Sequence, residues 1–163
     1  MLESSTGKKA LNKALILLGK RAYTIKQIRQ KLQKKNYSNE IIEAVVKYCL
    51  EMGYLNDQEY VRQWISTHNR IKPIGRKRIL YELKSKGIDK EIILACLNDS
   101  FTNELEYQLA FSLIKKKIGH NLEIDDDSFK KLYRFLLRRG FSHSIAIKVL
   151  NNYDLEWHDS SSG

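Results

Sequence analysis

Apolar residues recur along this chain at three- and four-residue spacing, which is the pattern of amphipathic helices. The stretch from Gly53 to Ile88 shows it most clearly, with Trp64 on the apolar side of a first helix. The only proline, Pro73, biases the residue before it away from helical conformation, so this helix is predicted to end near Ile71. A second amphipathic helix is predicted between Gly75 and Gly87. Few runs alternate with period two, and the predicted fold class is all-α.

The same helical pattern occurs three times. A leucine followed four residues later by a residue that tolerates left-handed conformation is found at Leu32–Asn36, Leu83–Gly87 and Leu136–Gly140. Eight residues before each leucine stands a predicted helix cap, namely Thr24, Gly75 and Ser128. Units of about 50 residues are marginal alone, so neighbouring units must share apolar faces. We therefore predict three tandem three-helix repeats that form an elongated, slightly curved chain.

The boundaries of these units follow from the breaks in the pattern. The third unit is predicted to begin near Asn103, with a first apolar set of Leu105, Leu109, Ala110, Leu113 and Ile114. The predicted order is a flexible N-terminus (1–9), a first three-helix unit (10–55), a second unit with a basic surface (56–99), a third unit (100–153) and a flexible C-terminal tail (154–163).

Charge is distributed unevenly along the chain. The formal net charge is +10, and residues 1–100 hold 20 Lys and Arg against 10 Asp and Glu, whereas residues 101–163 hold 9 of each. The whole excess therefore lies in the first 100 residues. Such an excess favours an anionic partner, and a nucleic acid, a nucleoprotein or an acidic protein face would each satisfy it.

The second unit carries the densest group of cationic residues. Helical spacing aligns Lys77, Tyr81 and Lys84 opposite the apolar face of their helix, with Arg78 beside them. An interleaved tyrosine suits contact with phosphates or with an acidic groove. For any single residue, a solvated helix face is an equally good interpretation. The candidate binding residues are Arg62, Arg70, Lys72, Lys77, Arg78, Tyr81 and Lys84.

Catalytic and metal-binding patterns find little support in the sequence. No nucleophile motif or glycine-rich phosphate loop is present, and the histidines are scattered, at His68, His120, His143 and His158. His68 is expected to pack in the core of its unit. Cys49 and Cys96 are predicted to be buried free thiols, and the acidic run Glu123–Asp127 suits a helix N-terminus better than a metal site, although its role stays open. We predict no enzymatic activity, no cofactor and no metal.

Two further expectations concern location and sequence-specific binding. No apolar run reaches the roughly 18 residues of a membrane helix, and no cleavable signal is evident, so a cytoplasmic protein without membrane contact is expected. The short apolar helix predicted after Gly87 offers almost nothing to base edges, so sequence-specific DNA reading is not expected.

Three motifs carry a family resemblance. They are Gly53-Tyr54-Leu55-x-Asp57-x-x-Tyr60 followed by Trp64, Gly75-x-x-Arg78-Ile79-x-x-Glu82-Leu83-x-x-Lys86-Gly87, and Arg138-Arg139-Gly140-Phe141. On these motifs the chain resembles the RecX family of recombination regulators from about Leu11 to Tyr153. Two positions depart from the family pattern: Val61 stands where a small residue is usual, and Asn36 replaces the glycine of the later units.

The resemblance implies a non-enzymatic modulator of the recombinase RecA. It further implies binding in the helical groove of the RecA–DNA filament, where family members inhibit strand exchange, ATPase and co-protease activities and favour disassembly. A monomer is expected. The alternatives are a non-specific DNA-binding protein that acts directly on nucleic acid, and a helical adaptor for an acidic protein.

Overall fold

A computed structural model describes residues 1–119 and 125–160 of the chain, with side chains up to Tyr153. Within these ranges the protein contains nine helices and no strand, so the all-α prediction is confirmed. The helices are α1 (Ser5–Leu18), α2 (Ile25–Gln33), α3 (Asn39–Glu51), α4 (Asp57–Ile71), α5 (Arg76–Ser85), α6 (Lys90–Ser100), α7 (Asn103–Ile118), α8 (Asp126–Arg138) and α9 (His143–Ser160).

Local sequence signals set most of the helix ends. α4 ends at Ile71, as the position of Pro73 predicts. Thr24 caps α2 through a reciprocal pair of hydrogen bonds with Gln27, which satisfies two backbone donors of the first turn. α1 begins at Ser5, earlier than the apolar pattern indicates, because the Ser4 side chain accepts a hydrogen bond from the Gly7 amide.

The predicted cap of α8 is wrong. Ser128 lies inside the helix, and the cap is Asp125, whose Oδ1 accepts the Ser128 amide at 2.8 Å. Acidic residues stabilise a helix N-terminus, so Asp125 to Asp127 form the cap and first turn of α8. The start of the acidic run at Glu123, together with His120 and the side chain of His158, lies outside the described residues.

The chain is divided between two compact units. The first comprises Met1–Gln63 and Leu83–Ile93, and the second comprises Trp64–Glu82 and the chain from Leu94 onward. α4, α5 and α6 therefore each pass from one unit to the other. The core of the first unit is formed by Ala10, Ala14, Tyr23, Ile28, Leu32, Ile42, Val45, Val46, Cys49 and Leu55. That of the second includes Ala110, Ile114, Leu132, Leu136, Phe141, Ala146, Val149, Leu150 and Tyr153.

The leucines that define the repeat occupy equivalent places in the structure. Leu32, Leu83 and Leu136 are each fully buried, near the end of the middle helix of their own repeat. The turn after each one contains a residue of positive φ, at Asn36, Gly87 and Gly140. The three-helix repeat is thus visible in the structure as well as in the sequence.

In the first compact unit, the N-terminus of α2 is completed by residues from the following repeat. Asp57 Oδ1 accepts the Ile25 amide at 3.0 Å, and Thr24 Oγ1 donates to the Lys86 carbonyl at 3.0 Å. Asp57 is buried, and it is the first residue of α4, not its cap. The cap of α4 is instead Asn56, whose side chain accepts the Glu59 amide at 3.1 Å.

The N-terminus of α5 is completed in the same way within the second compact unit. The Gly75 amide donates to the Arg139 carbonyl at 2.9 Å, and the Lys77 amide donates to the Gly140 carbonyl at 3.1 Å. Glu106 Oε1 accepts the Arg76 amide at 2.8 Å. The approach is so close that a Cβ at Gly75 would overlap the backbone of Gly140 and Phe141.

The role of Glu106 corrects one expectation about the third repeat. Leu105 was predicted to face the core, but it is 40% exposed, whereas Glu106 is only 3% exposed. The periodic pattern fails here because the carboxylate of Glu106 is needed at the start of α5, where amide donors lack intrahelical partners. The buried charge is compensated by that hydrogen bond.

Candidate functional site

α5 positions the central part of the predicted basic surface. Its apolar residues Ile79 and Leu83 are fully buried, so the opposite side of the helix faces solvent. Its N-terminus is fixed by three hydrogen bonds that the backbone amides of Gly75, Arg76 and Lys77 donate. The exposed side chains of α5 therefore project from a helix whose backbone is held at its N-terminus.

All seven candidate residues are exposed, and they belong to both compact units. Tyr81 is 65% exposed, which leaves its ring available for contact. In the first unit the exposed candidates are Arg62 on α4 and Lys84 on α5. In the second they are Arg70 on α4, Lys72 in the following turn, and Lys77, Arg78 and Tyr81 on α5.

A cationic cleft of about 290 Å³ lies within the second unit. Four of its side chains are cations and one is a carboxylate, an excess that favours an anionic ligand. The lining residues are His68, Lys72, Ile74, Arg78, Glu82, Arg138 and Arg139. The cleft therefore joins two candidate residues, Lys72 and Arg78, to two arginines of the third repeat.

Arg78 is held at the edge of this cleft by its neighbours on α5. Its Nε donates to Glu82 Oε1 at 2.8 Å, and its Nη2 lies 2.7 Å from the same oxygen. Its guanidinium carbon also lies 5.5 Å from the ring centroid of Tyr81. The pairing with Glu82 offsets part of the charge of Arg78, but the side chain remains about half exposed.

The two arginines of the third repeat were not among the predicted site residues. Arg139 Nη1 donates to the Pro73 carbonyl at 3.4 Å, and its guanidinium lies 5.3 Å from the Phe135 ring centroid. Arg138 is exposed. The net charge of whole segments hid them, because residues 101–163, taken together, hold as many acidic as cationic residues. The motif Arg138-Arg139-Gly140-Phe141 was the signal that could have identified them.

Two other polar residues of the region make contacts within the protein, and one of them, His68, also lines the cleft. The guanidinium of Arg76, part of the same basic run, turns inward and donates to the carbonyl of Phe101 and to Asn98 Oδ1 at 3.0 Å. His68 is half-buried, and its ring stacks on Trp64 with centroids 4.5 Å apart. Arg76 is therefore not part of the exposed surface.

Within the described residues, no three His, Cys, Asp or Glu side chains are grouped so that they could hold a metal ion. Cys49 and Cys96 are buried and form no disulfide, as predicted, and burial raises the pKa of the Cys49 thiol. In the same part of the chain, no helix has the length and apolar character needed to cross a membrane.

The fold and the site define an all-helical repeat protein built from three three-helix domains with a cationic surface. Models of the first, second and third three-helix domains of RecX match residues 10–49, 56–97 and 104–150. The chain belongs to the RecX family of regulatory proteins.

Relatives and solved structures agree with this assignment. The regulatory protein RecX of Pectobacterium atrosepticum is 33% identical over 162 residues, covering 89% of this chain and 98% of the relative. That of Chlorobium phaeobacteroides is 34% identical over 139 residues, covering 85% and 89%. The crystal structure of RecX from Lactobacillus salivarius superimposes with a TM-score of 0.83 at 24% identity, covering 92% of this chain and 97% of that one, which shows a common fold.

Proposed function

We propose that this chain regulates the recombinase RecA, mainly as an inhibitor, by binding in the groove of the RecA–DNA filament. The observation that carries the proposal is the match of all three of its domains to the RecX family of regulatory proteins. The protein acts by binding and not by catalysis, as a cytoplasmic monomer. It suppresses the strand-exchange, ATPase and co-protease activities of the filament.

The basic surface is the proposed contact with the filament. Its seven members, Arg62, Arg70, Lys72, Lys77, Arg78, Tyr81 and Lys84, are all exposed, which binding requires. Cations at the rim of an interface speed association by steering the partner, and the effect weakens as salt screens the charges. Inhibition of RecA is therefore expected to weaken with rising ionic strength.

A triple charge reversal on α5 tests the proposal. Lys77→Glu, Arg78→Glu and Lys84→Glu together should raise the concentration that half-inhibits DNA-dependent RecA ATPase by at least about tenfold, because attraction becomes repulsion. Arg78→Glu places a second carboxylate one helical turn from Glu82, and this repulsion lowers the stability by roughly 0.5 kcal/mol or less. Far-UV circular dichroism and the melting temperature should therefore stay close to those of the parent.

A matched variant controls for charge alone. Lys8, Lys9 and Lys13 lie exposed on α1, and their triple replacement by Glu changes the net charge by the same amount. This variant should inhibit RecA ATPase as the parent does. The proposed contact is refuted if the α5 variant is folded and inhibits like the parent, or if both triple variants lose inhibition equally.

A further inference from the structure

The cleft in the second unit includes two cations that no carboxylate neutralises in the described part of the chain. Neither Lys72 nor Arg138 forms an ion pair there, and both are exposed while lining the cleft. The one carboxylate of the cleft, Glu82, is engaged by the guanidinium of Arg78. Two cations from separate elements thus converge on a small concave space. Their charge is suited to an oxyanion.

An exposed aromatic ring stands next to this cleft. Arg78 lines the cleft and also lies 5.5 Å from the ring centroid of Tyr81, so one side chain connects the cleft with the ring. Tyr81 is 65% exposed and belongs to the same compact unit. Proteins that bind single-stranded nucleic acids combine these two elements, since cations follow the phosphates and aromatic rings stack on the bases.

We infer that this cleft binds one backbone phosphate of a single-stranded nucleic acid, and that a neighbouring base stacks on Tyr81. The inference rests on the proposed function, because it assigns part of the same surface to the nucleic-acid strand of the filament. Lys72, Arg138 and Arg139 contact the phosphate oxygens, while Arg78 spans the phosphate and the stacked base.

The ring of Tyr81 distinguishes this ligand from the other anionic partners. The carboxylate side chains of an acidic protein segment can enter the cleft, but they have no aromatic face to stack on the ring. In a double helix the bases are already stacked on one another, so a base must leave the stack before it reaches Tyr81. Single strands present unstacked bases next to each phosphate, and stacking on a protein side chain tolerates any base.

The first test measures binding in the absence of RecA. Fluorescence anisotropy of a labelled 20-nucleotide oligothymidylate should show an affinity for the parent that falls as salt rises. Lys72→Gln with Arg138→Gln should weaken binding about tenfold and make the dependence of log affinity on log salt shallower by about 0.7 for each phosphate that the protein no longer neutralises. Lys130→Gln with Arg134→Gln is the control, because these residues lie exposed on α8, outside the cleft lining, and carry the same charge.

The second test separates the base from the phosphate. Tyr81→Ala should weaken oligothymidylate binding at least about fivefold, whereas Tyr81→Phe should retain it, because the ring and not the hydroxyl stacks. On an abasic strand of equal length, Tyr81→Ala should have no effect, while the Lys72 and Arg138 double variant should still weaken binding. The contributions of base and phosphate are then assigned independently.

Several results would overturn the inference. Equal losses of affinity for the cleft variant and for the Lys130 and Arg134 control would show that the overall positive charge attracts the strand and that the cleft is not a specific site. Competition by polyglutamate as effective as that by an unlabelled oligonucleotide would show an acidic-protein surface. An unchanged affinity of Tyr81→Ala for oligothymidylate would refute the stacking of a base on Tyr81. None of these measurements contains RecA, so failure here is distinguishable from failure of the proposed RecA inhibition, which is read from ATPase activity.

Discussion

Asp57 offers the sharpest test of how one repeat supports the next. Its buried carboxylate accepts the Ile25 amide at 3.0 Å and so closes the N-terminus of α2. In Asp57→Ala that part-buried amide loses its hydrogen-bond partner. An unsatisfied buried donor costs about 1–3 kcal/mol, and loss of a helix cap costs about 0.5–2 kcal/mol. Both figures describe the same hydrogen bond, so they are not added. We expect Asp57→Ala to reduce the free energy of unfolding by about 1–3 kcal/mol.

Asp57→Asn separates the hydrogen bond from the charge. An amide oxygen can still accept the Ile25 amide, whereas the cost of burying a charge disappears. Burial raises the pKa of Asp57, and the hydrogen bond from Ile25 and the positive charge of Arg29 oppose that shift only in part. At neutral pH the asparagine variant is therefore expected to be at least as stable as the parent and clearly more stable than the alanine variant.

The pH dependence follows from the direction of this shift. Because the pKa of Asp57 is higher in the folded than in the unfolded state, its stabilising contribution is complete below the unfolded pKa, about 3.9. The contribution is lost as pH rises through the folded pKa. The stability of Asp57→Asn relative to the parent should therefore increase with pH across the carboxylate range and be constant above it.

Urea unfolding followed by far-UV circular dichroism at a series of pH values measures these differences. The reasoning is wrong if Asp57→Ala is as stable as the parent. It is also wrong if Asp57→Asn loses stability relative to the parent as pH rises, because that sign would mean that attraction between the carboxylate and the helix N-terminus outweighs its burial.

Three further predictions concern the second unit and the shared repeat. Gly140 has a φ of 87°, and a Cβ there would overlap Arg78, whereas Gly53, with a φ of 72°, has no such neighbour. In urea unfolding, Gly140→Ala should therefore reduce the free energy of unfolding by about 1–3 kcal/mol more than Gly53→Ala does. Equal effects of the two substitutions would refute a packing role for Gly140. Glu106→Ala should reduce the free energy of unfolding by about 1–3 kcal/mol, because the Arg76 amide loses its acceptor, while Glu106→Gln should recover part of that loss. Equal stability of the two variants would contradict the role of Glu106 as the acceptor at the start of α5. Leu136→Ala should cost about 2–5 kcal/mol by thermal unfolding, as for other fully buried leucines, and a cost below about 1 kcal/mol would contradict its place in the core.

Helix identity and most helix ends could be predicted from the sequence because they depend on residues close together in the chain. Pro73 sets the end of α4, and Thr24 with Gln27 sets the start of α2. The periodicity also located the repeat and its buried leucines. In each case the determining interactions span only a few residues, so the local sequence contains the information.

The composition of the site depends on contacts between distant residues, and sequence reasoning captured only part of it. Arg76 and Lys77 are adjacent, yet the guanidinium of Arg76 turns inward, because the carbonyl of Phe101 and the amide oxygen of Asn98 accept its hydrogen bonds. Arg139 reaches Pro73 across 66 residues of sequence. Periodicity on a single helix carries no information about either neighbour.

The repeat also shows why equivalent positions require different residues. Asn36, Gly87 and Gly140 share a positive φ of 59°, 84° and 87°, which asparagine adopts more readily than most other residues with a Cβ. Asn36 is exposed, whereas a Cβ at Gly87 would overlap the side chain of Lys26 and one at Gly140 would overlap the backbone of Arg78. At Gly87 and Gly140 the obstacle lies on the middle helix of the preceding repeat. The demand for glycine therefore arises where one repeat packs on another, and φ alone does not impose it.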